Sequence, residues 1–285
     1  MRYTLATHPP RVIPFDRCFA DVYPVRPRQE LGPVIDLTAW LGPARDQNIP
    51  AEGECSAESG AGIMDWLCRR YRQELFFGSS QGLYQVERTL AGDLHQDAGA
   101  RLRQTQTALQ TVGVWDNALD PDIRSDFIVT VTPAMRASAA QHRIQDGLWC
   151  LTLDEILNAL AHPTCPVVVQ LGIVVYPGFE APLTRHTGHV PMPSPGEQPL
   201  GGHAVIAIGA DLQEEVIYCR NSWGRITTPR CAMPAMRISR CPSPICRMPG
   251  PSYRPVRIIS DSGGMPDGRS ADGSRPHYYA RKSCE

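Results

Sequence analysis

The stretch Gly201-Gly-His-Ala-Val-Ile-Ala-Ile-Gly-Ala-Asp-Leu-Gln-Glu-Glu-Val-Ile-Tyr-Cys-Arg-Asn-Ser-Trp-Gly224 sets a histidine at the mouth of one apolar run and an asparagine at the end of the next. Ala204 to Ile208 and Val216 to Cys219 read as two strands joined by Ala210-Asp-Leu-Gln213. Strands joined by so short a turn pair antiparallel, which brings His203 and Asn221 to one sheet edge. An asparagine oxygen that accepts one ring N–H orients an imidazole without adding charge. The other ring nitrogen is then left to act as a base.

A base so held needs a nucleophile. A thiol beside an imidazole can ionise to the reactive thiolate, and a helix N-terminus favours the anion. Cys55 follows Gly53-Glu54 and opens a helical pattern in which Ile63, Leu67 and Tyr71 recur at spacing four. It precedes His203 by 148 positions. Gly60 and Gly62 weaken such a helix by roughly 1 kcal/mol each, which makes sense where something packs closely against it. Taken alone, Cys55 is more often a buried small hydrophobe than a nucleophile and His203 more often a packed strand histidine than a base, and Asn221 also reads as a plain turn residue.

Working outward, a second helix is expected from about Asp97 to Val112, stopped by Gly113. Thr152-Leu-Asp-Glu155 is a capping box whose helix must end before Pro163. Pro166 to Tyr176 reads as a buried strand, followed by a Pro/Gly/Thr loop from Pro177 to Gly202. A helical half preceding a strand-rich half predicts an α+β fold with segregated elements. Phe76-Phe77 reads as core, and His186 and His189 as solvated loop residues.

Composition bounds the function. The 285 residues are 42% hydrophobic and 20% charged, ordinary for a globular protein, and the formal net charge of −1 argues against a nucleic-acid partner. Ten cysteines without a C-x-x-C pair in the body argue against a zinc knuckle and suit a reducing compartment. With no signal-like apolar segment at Met1 to Pro10 and no membrane-length run, the expectation is a cytoplasmic location away from the membrane.

Together these residues resemble the papain-like (C1) cysteine peptidases, of the bacterial kind without a long propeptide. Val34-Ile-Asp-Leu-Thr resembles the start of the mature domain, and Ala44-Arg-Asp-Gln47 the run that carries the oxyanion-hole glutamine. Gly53-Glu-Cys-Ser-Ala57 is similar to the nucleophile turn, Gly201-Gly-His-Ala-Val205 to the histidine strand, and Arg220-Asn-Ser-Trp-Gly224 to the asparagine turn. The resemblance implies a two-lobed fold with a helical lobe at about 34–128 and a barrel-like strand lobe at about 129–224. It implies hydrolysis of peptide bonds in a peptide or protein substrate, with no metal or organic cofactor. Cys55 would be the acylated nucleophile, His203 its base and then acid, and Asn221 the residue orienting His203 under Trp223. Gln47 would hold the oxyanion with the Cys55 N–H. Ile49-Pro-Ala51 looks inserted between Gln47 and Cys55. Two other readings remain open: a catalytically inactive papain-like peptide-binding module or non-functional product, and another Cys-His hydrolase such as a cell-wall amidase.

Residues 1–33 are Pro- and Arg-rich and read as an N-terminal extension. Residues 225–285 hold 9 Pro and 10 Arg, with 11 Lys and Arg against 4 Asp and Glu, and no sustained period. Prolines this frequent do not suit central strands. The family's closing hairpin is missing here, so the tail reads as disordered or as the product of a frameshift just after Gly224. Translating the other two frames beyond codon 224 is expected to reveal a Trp-Gly…Gly-Tyr strand pattern; its absence from both frames would mean a basic extension of the native chain instead.

Overall fold

A computed structural model describes residues 16–48, 52–121, 126–224, 233–237 and 256–258. Its strands are β1 (Val34–Asp36), β2 (Ile144–Gly147), β3 (Val169–Val175), β4 (Gly201–Asp211), β5 (Val216–Arg220), β6 (Met233–Arg237) and β7 (Val256–Ile258). Its α-helices are α1 (Cys55–Leu67), α2 (Ser80–Ala91), α3 (Leu102–Thr111), α4 (Pro133–Gln141), α5 (Leu153–Leu160) and α6 (Pro182–Thr187).

The expected strand pair forms, and it lies at the centre of the sheet. β4 pairs antiparallel with β5 along one edge, and its other edge takes β3 alongside Gly201–Ala207 and β1 alongside Gly209–Asp211. β6 continues the sheet beyond β5, and β7 pairs with β2. The α+β class holds, but among the described residues the sheet is open and does not close into a barrel. β1 comes from the expected helical lobe at 34–128 and joins the sheet, while α4, α5 and α6 come from the expected strand lobe at 129–224.

Every residue of α1 is buried, which makes it the central helix of the molecule. The glycines that cost it propensity are the ones its neighbours touch. A Cβ on Gly60 would lie 2.4 Å from Thr105 Cγ2 on α3 and 3.1 Å from Leu83 Cδ2 on α2, and one on Gly62 would lie 2.8 Å from Ile206 Cδ1 on β4. The helix ends earlier than its apolar spacing suggests. At Cys68–Arg72 the backbone widens into a π-turn, and Gln73 turns back with φ of 53°. This change of pitch leaves Tyr71 and Leu75 exposed, while Phe76 returns to the core.

The second helix starts at Leu102 rather than near Asp97, because Asp97 is engaged elsewhere: it accepts from Gly53 N at 2.9 Å and Tyr84 Oη at 2.6 Å. At α5 the Thr152 cap forms, with Glu155 N donating to Thr152 Oγ1 at 3.2 Å, but the box does not close: the Glu155 carboxylate accepts from Leu151 N at 3.2 Å instead of from Thr152 N. Helix α2 has no counterpart in the sequence reading. Its buried residues mix Leu83 and Tyr84 with Gln81, Gln85, Glu87 and Arg88, so polar side chains break up the apolar stripe that would have announced it.

Residues 16–33 lie against the body: Phe19 is buried, Phe19 N donates to Trp149 O at 2.8 Å, and Asp16 pairs with Arg103 at 2.5 Å. Residues 1–15 lie outside the described part, as does the 225–285 tail apart from the β6 and β7 backbone. No helix among the described residues is long and apolar enough to cross a membrane.

Replacing Gly60 with Ala gains about 1 kcal/mol of helix propensity but drives a methyl into buried Thr105. Overpacking of this kind costs roughly 1–3 kcal/mol. The expected outcome is a net loss of stability, read as a lower urea midpoint at unchanged slope; a higher midpoint would mean that α3 gives way easily.

Candidate active site

Cys55 is the first residue of α1, so its thiol stands at the positive end of the helix dipole. This first turn is held on three sides. Ser59 Oγ bonds back to Cys55 O at 2.9 Å, and Gln170 on β3 donates to Ser56 O at 2.9 Å and to Ser59 Oγ at 2.7 Å. Ser56 Oγ donates to Glu87 Oε2 on α2 at 2.6 Å. Glu87 is fully buried, and burial pushes its carboxyl up to about 8. Cys55 itself is buried in one apolar cluster with Leu102 and with Ala204, the residue that follows His203.

The two strand ends meet as expected. His203 Nε2 lies 2.6 Å from Asn221 Oδ1, and Ser222 N donates to the same oxygen at 2.9 Å. A backbone N–H only donates, so the Asn221 atom between them is the acceptor oxygen and His203 Nε2 carries the proton. In the neutral ring Nδ1 is then the base. Nδ1 is buried and has no hydrogen-bond partner among the described residues. Trp223 and Phe179 cover the pair, with ring centroids 4.9 and 6.1 Å from the His203 ring.

Gln47 is 1% exposed and joins this group from a different segment. Gln47 N donates to Ser222 O at 2.8 Å, and Ser222 Oγ donates to Gln47 Oε1 at 2.6 Å. In this arrangement the oxygen is engaged, and Nε2 is buried with no hydrogen-bond partner among the described residues. Asp46 bridges Trp223, and Gly224 N donates to Arg45 O at 2.9 Å. Gly224 adopts φ of 78°, and a Cβ there would strike Asp46 Oδ2 at 2.5 Å, so glycine is required at this turn.

Three of the four residues singled out from sequence are thus linked by hydrogen bonds: His203 to Asn221 directly, and Gln47 through Ser222. Cys55 adjoins them through the contact of α1 with β4. The inserted Ile49-Pro-Ala51 lies outside the described residues. Ser222, Phe179, Glu87 and Gln170 were not foreseen. Ser222 sits inside the quoted motif and was the most findable; the others come from distant segments with no local signature.

No protein-family model matches the chain. By sequence it is 28% identical over 181 residues to an uncharacterized peptidase C1-like protein of Acanthamoeba polyphaga mimivirus, covering 60% of this chain and 58% of that protein. By structure it is similar to xylellain, a cysteine protease from Xylella fastidiosa, with a TM-score of 0.71 and 21% identity over 91% of this chain and 98% of that one. It is also similar to digestive procathepsin L 3 of Tenebrio molitor, with a TM-score of 0.63 and 12% identity over 85% of this chain and 74% of that one. Bromelain from Ananas comosus gives a TM-score of 0.55 and 13% identity, over 80% of this chain and all of that one.

The fold is papain-like. Within that papain-like frame, burial lowers the His203 imidazole to about 4, opposed by the Asn221 hydrogen bond. The folded value lies below the ordinary 6.5 or so. The neutral ring therefore contributes stability that is fully present above about pH 6.5 and is lost as pH falls through about 4. In a Cys55→Ala chain, which has no thiolate to hold the imidazolium, unfolding free energy should fall over that window by on the order of 3 kcal/mol. Adding His203→Gln should remove that component; an unchanged pH profile would mean that water reaches His203.

Proposed function

We propose that this chain is a cysteine-type peptidase that hydrolyses peptide bonds through Cys55, His203, Asn221 and Gln47. The observation that carries the proposal is a pair of buried polar atoms, His203 Nδ1 and Gln47 Nε2, that have no hydrogen-bond partner among the described residues. A buried unsatisfied polar atom costs about 1–3 kcal/mol. One atom is a base and the other a donor, and both belong to a hydrogen-bonded group beside the N-terminus of α1. In the proposed reaction the first takes the thiol proton and the second donates to the carbonyl oxygen. The papain-like fold and the viral C1-like relative support the same reading.

The steps follow from the polarity of each group. His203 Nδ1 takes the Cys55 thiol proton, and the thiolate is stabilised by the imidazolium and the α1 dipole. The sulfur attacks the scissile carbonyl carbon, and the oxygen becomes an oxyanion held by Gln47 Nε2 and the Cys55 backbone N–H. The tetrahedral species collapses to a thioester as His203 Nδ1–H protonates the departing amine. Water then attacks the thioester, giving its proton to Nδ1; Cys55 leaves as the thiol and the acid product departs. Asn221 holds the ring throughout, and Trp223 and Phe179 keep water from its hydrogen bond.

The test is hydrolysis of a mixed fluorogenic peptide library in reducing buffer. Cys55→Ala should abolish turnover, and Asn221→Ala should lower it. Gln47→Ala should lower kcat by roughly 100-fold or more with little change in KM, as for loss of one oxyanion donor. A folded wild-type chain with no activity, and with Cys55 no more reactive to iodoacetamide than the other thiols, would favour the inactive peptide-binding module.

A further inference from the structure

At the far end of α1 a second group of side chains converges. Cys68 Sγ, one Glu74 carboxylate oxygen and a His142 ring nitrogen all lie within 4.8 Å of one another. They come from three places: the last turn of α1, the segment after the π-turn, and the C-terminus of α4. The backbone is shaped to bring them together. The π-turn and the left-handed Gln73 fold the chain back so that Glu74 N donates to Cys68 O at 3.1 Å. His142 is fixed by its N–H to Ala139 O at 3.0 Å, by Val114 N donating to its carbonyl at 3.2 Å, and by stacking on Phe76 at 3.7 Å.

The ring's tautomer is set by what it faces. His142 Nδ1 lies 2.7 Å from Ser138 O, a carbonyl that can only accept, so Nδ1 carries a proton. In the neutral ring the Nε2 lone pair then points at Glu74 Oε1, 3.0 Å away. Two acceptors at that distance repel unless a proton or a cation lies between them. A proton gives a half-buried imidazolium–carboxylate pair and leaves the Cys68 thiol with Arg72 as its partner. A cation uses all three. The Ser138 carbonyl is the usual outer partner of a metal-bound imidazole, and Arg72, 3.3 Å from Glu74 Oε2, leaves Oε1 as the ligand oxygen. A thiolate and a carboxylate also neutralise a divalent charge.

We propose that Cys68, Glu74 and His142 form a binding site for a borderline-soft divalent cation of the zinc class. The site is separate from the peptidase reading: the 13 residues of α1 place it about 20 Å from Cys55. Three protein ligands of S, O and N type leave one tetrahedral position for water. Its effect is to clasp the end of α1 to α4. Sequence spacing hid it, because the ligands are single residues up to 74 positions apart.

The experiment uses the full chain carrying Cys55→Ala, so that the Cys55 thiol takes no part. After equilibration with zinc and gel filtration, one zinc per chain is expected. Cobalt in its place should give a tetrahedral d–d spectrum with a thiolate-to-cobalt charge-transfer band. Cys68→Ser should lose the band and the metal. Glu74→Gln alters a part-exposed side chain and spares the core, and should weaken binding at least ~10-fold. A hundredfold excess of zinc over its Kd should raise Tm by roughly 5–10 °C in the parent and not in Cys68→Ser. Substoichiometric zinc, or a cobalt band that survives Cys68→Ser, would overturn the proposal and leave the half-buried His142–Glu74 ion pair as the account of this cluster.

Discussion

One buried cation joins the parts on which the site depends. Arg45 is 5% exposed. Its guanidinium donates to Asp65 at 2.7 Å, to Glu58 at 3.4 Å and to Gly78 O at 2.9 Å, and it lies over the Phe77 ring at 4.1 Å. Two of these partners are on α1, Asp65 near its C-terminus and Glu58 in the first turn with Cys55. The Arg45 carbonyl accepts Gly224 N, and its next two residues, Asp46 and Gln47, pair with Trp223 and Ser222. The interior is costly for ions: burial raises the Asp65 carboxyl, and Arg45 is the chief opposing influence. Removing one partner of such a group costs about 3–5 kcal/mol, because the remaining charges stay buried and uncompensated. The arrangement is therefore rigid, and it fixes the helix that bears the thiol relative to the segment that bears the glutamine.

Burial also sets the terms on which His203 can act. A fully desolvated imidazole resists protonation, which suits a base at rest but opposes the imidazolium formed when it accepts a proton. Two features offset that cost in the proposed mechanism: the Asn221 oxygen on Nε2 and the negative sulfur at the N-terminus of α1. The first is fixed in the fold, and the second exists only once the proton has moved. The charged state is then a property of the thiol and imidazole together, and their titration belongs to the pair.

Much of this was legible because strands and caps leave local marks. β4, β5 and the cap at Thr152 depend on neighbours in sequence, and their patterns hold in the structure. The glycines of α1 could be read as close contacts, although not which helices touch them. What stayed hidden shares one physical cause. Helix α2 buries Gln81, Gln85, Glu87 and Arg88 beside Leu83 and Tyr84, so polar residues interrupt the apolar face that would have announced it. The π-turn at Cys68–Arg72 breaks the four-residue spacing that seemed to carry Tyr71 inward. Buried polar networks and changes of helical pitch are tertiary facts, and a linear pattern has no term for them.

The position of Gln47 follows the same logic in reverse. Counted along the chain, seven residues separate it from Cys55, two more than the family spacing that the resemblance implies. Chain length is the wrong measure. Arg45, Asp46 and Gln47 are held by antiparallel pairing with Ser222 to Gly224, and Cys55 is held by its helix. Extra residues between two anchored points add closure entropy of only about 0.6 kcal/mol per doubling of length. They do not shift either anchor. The amide of Gln47 is oriented by Ser222, one residue beyond the asparagine that orients His203, so the donor and the base are set by one turn of the chain. A glutamine whose place is determined by Asn221-Ser222-Trp223-Gly224 can tolerate an insertion that a glutamine placed only by its distance from Cys55 cannot.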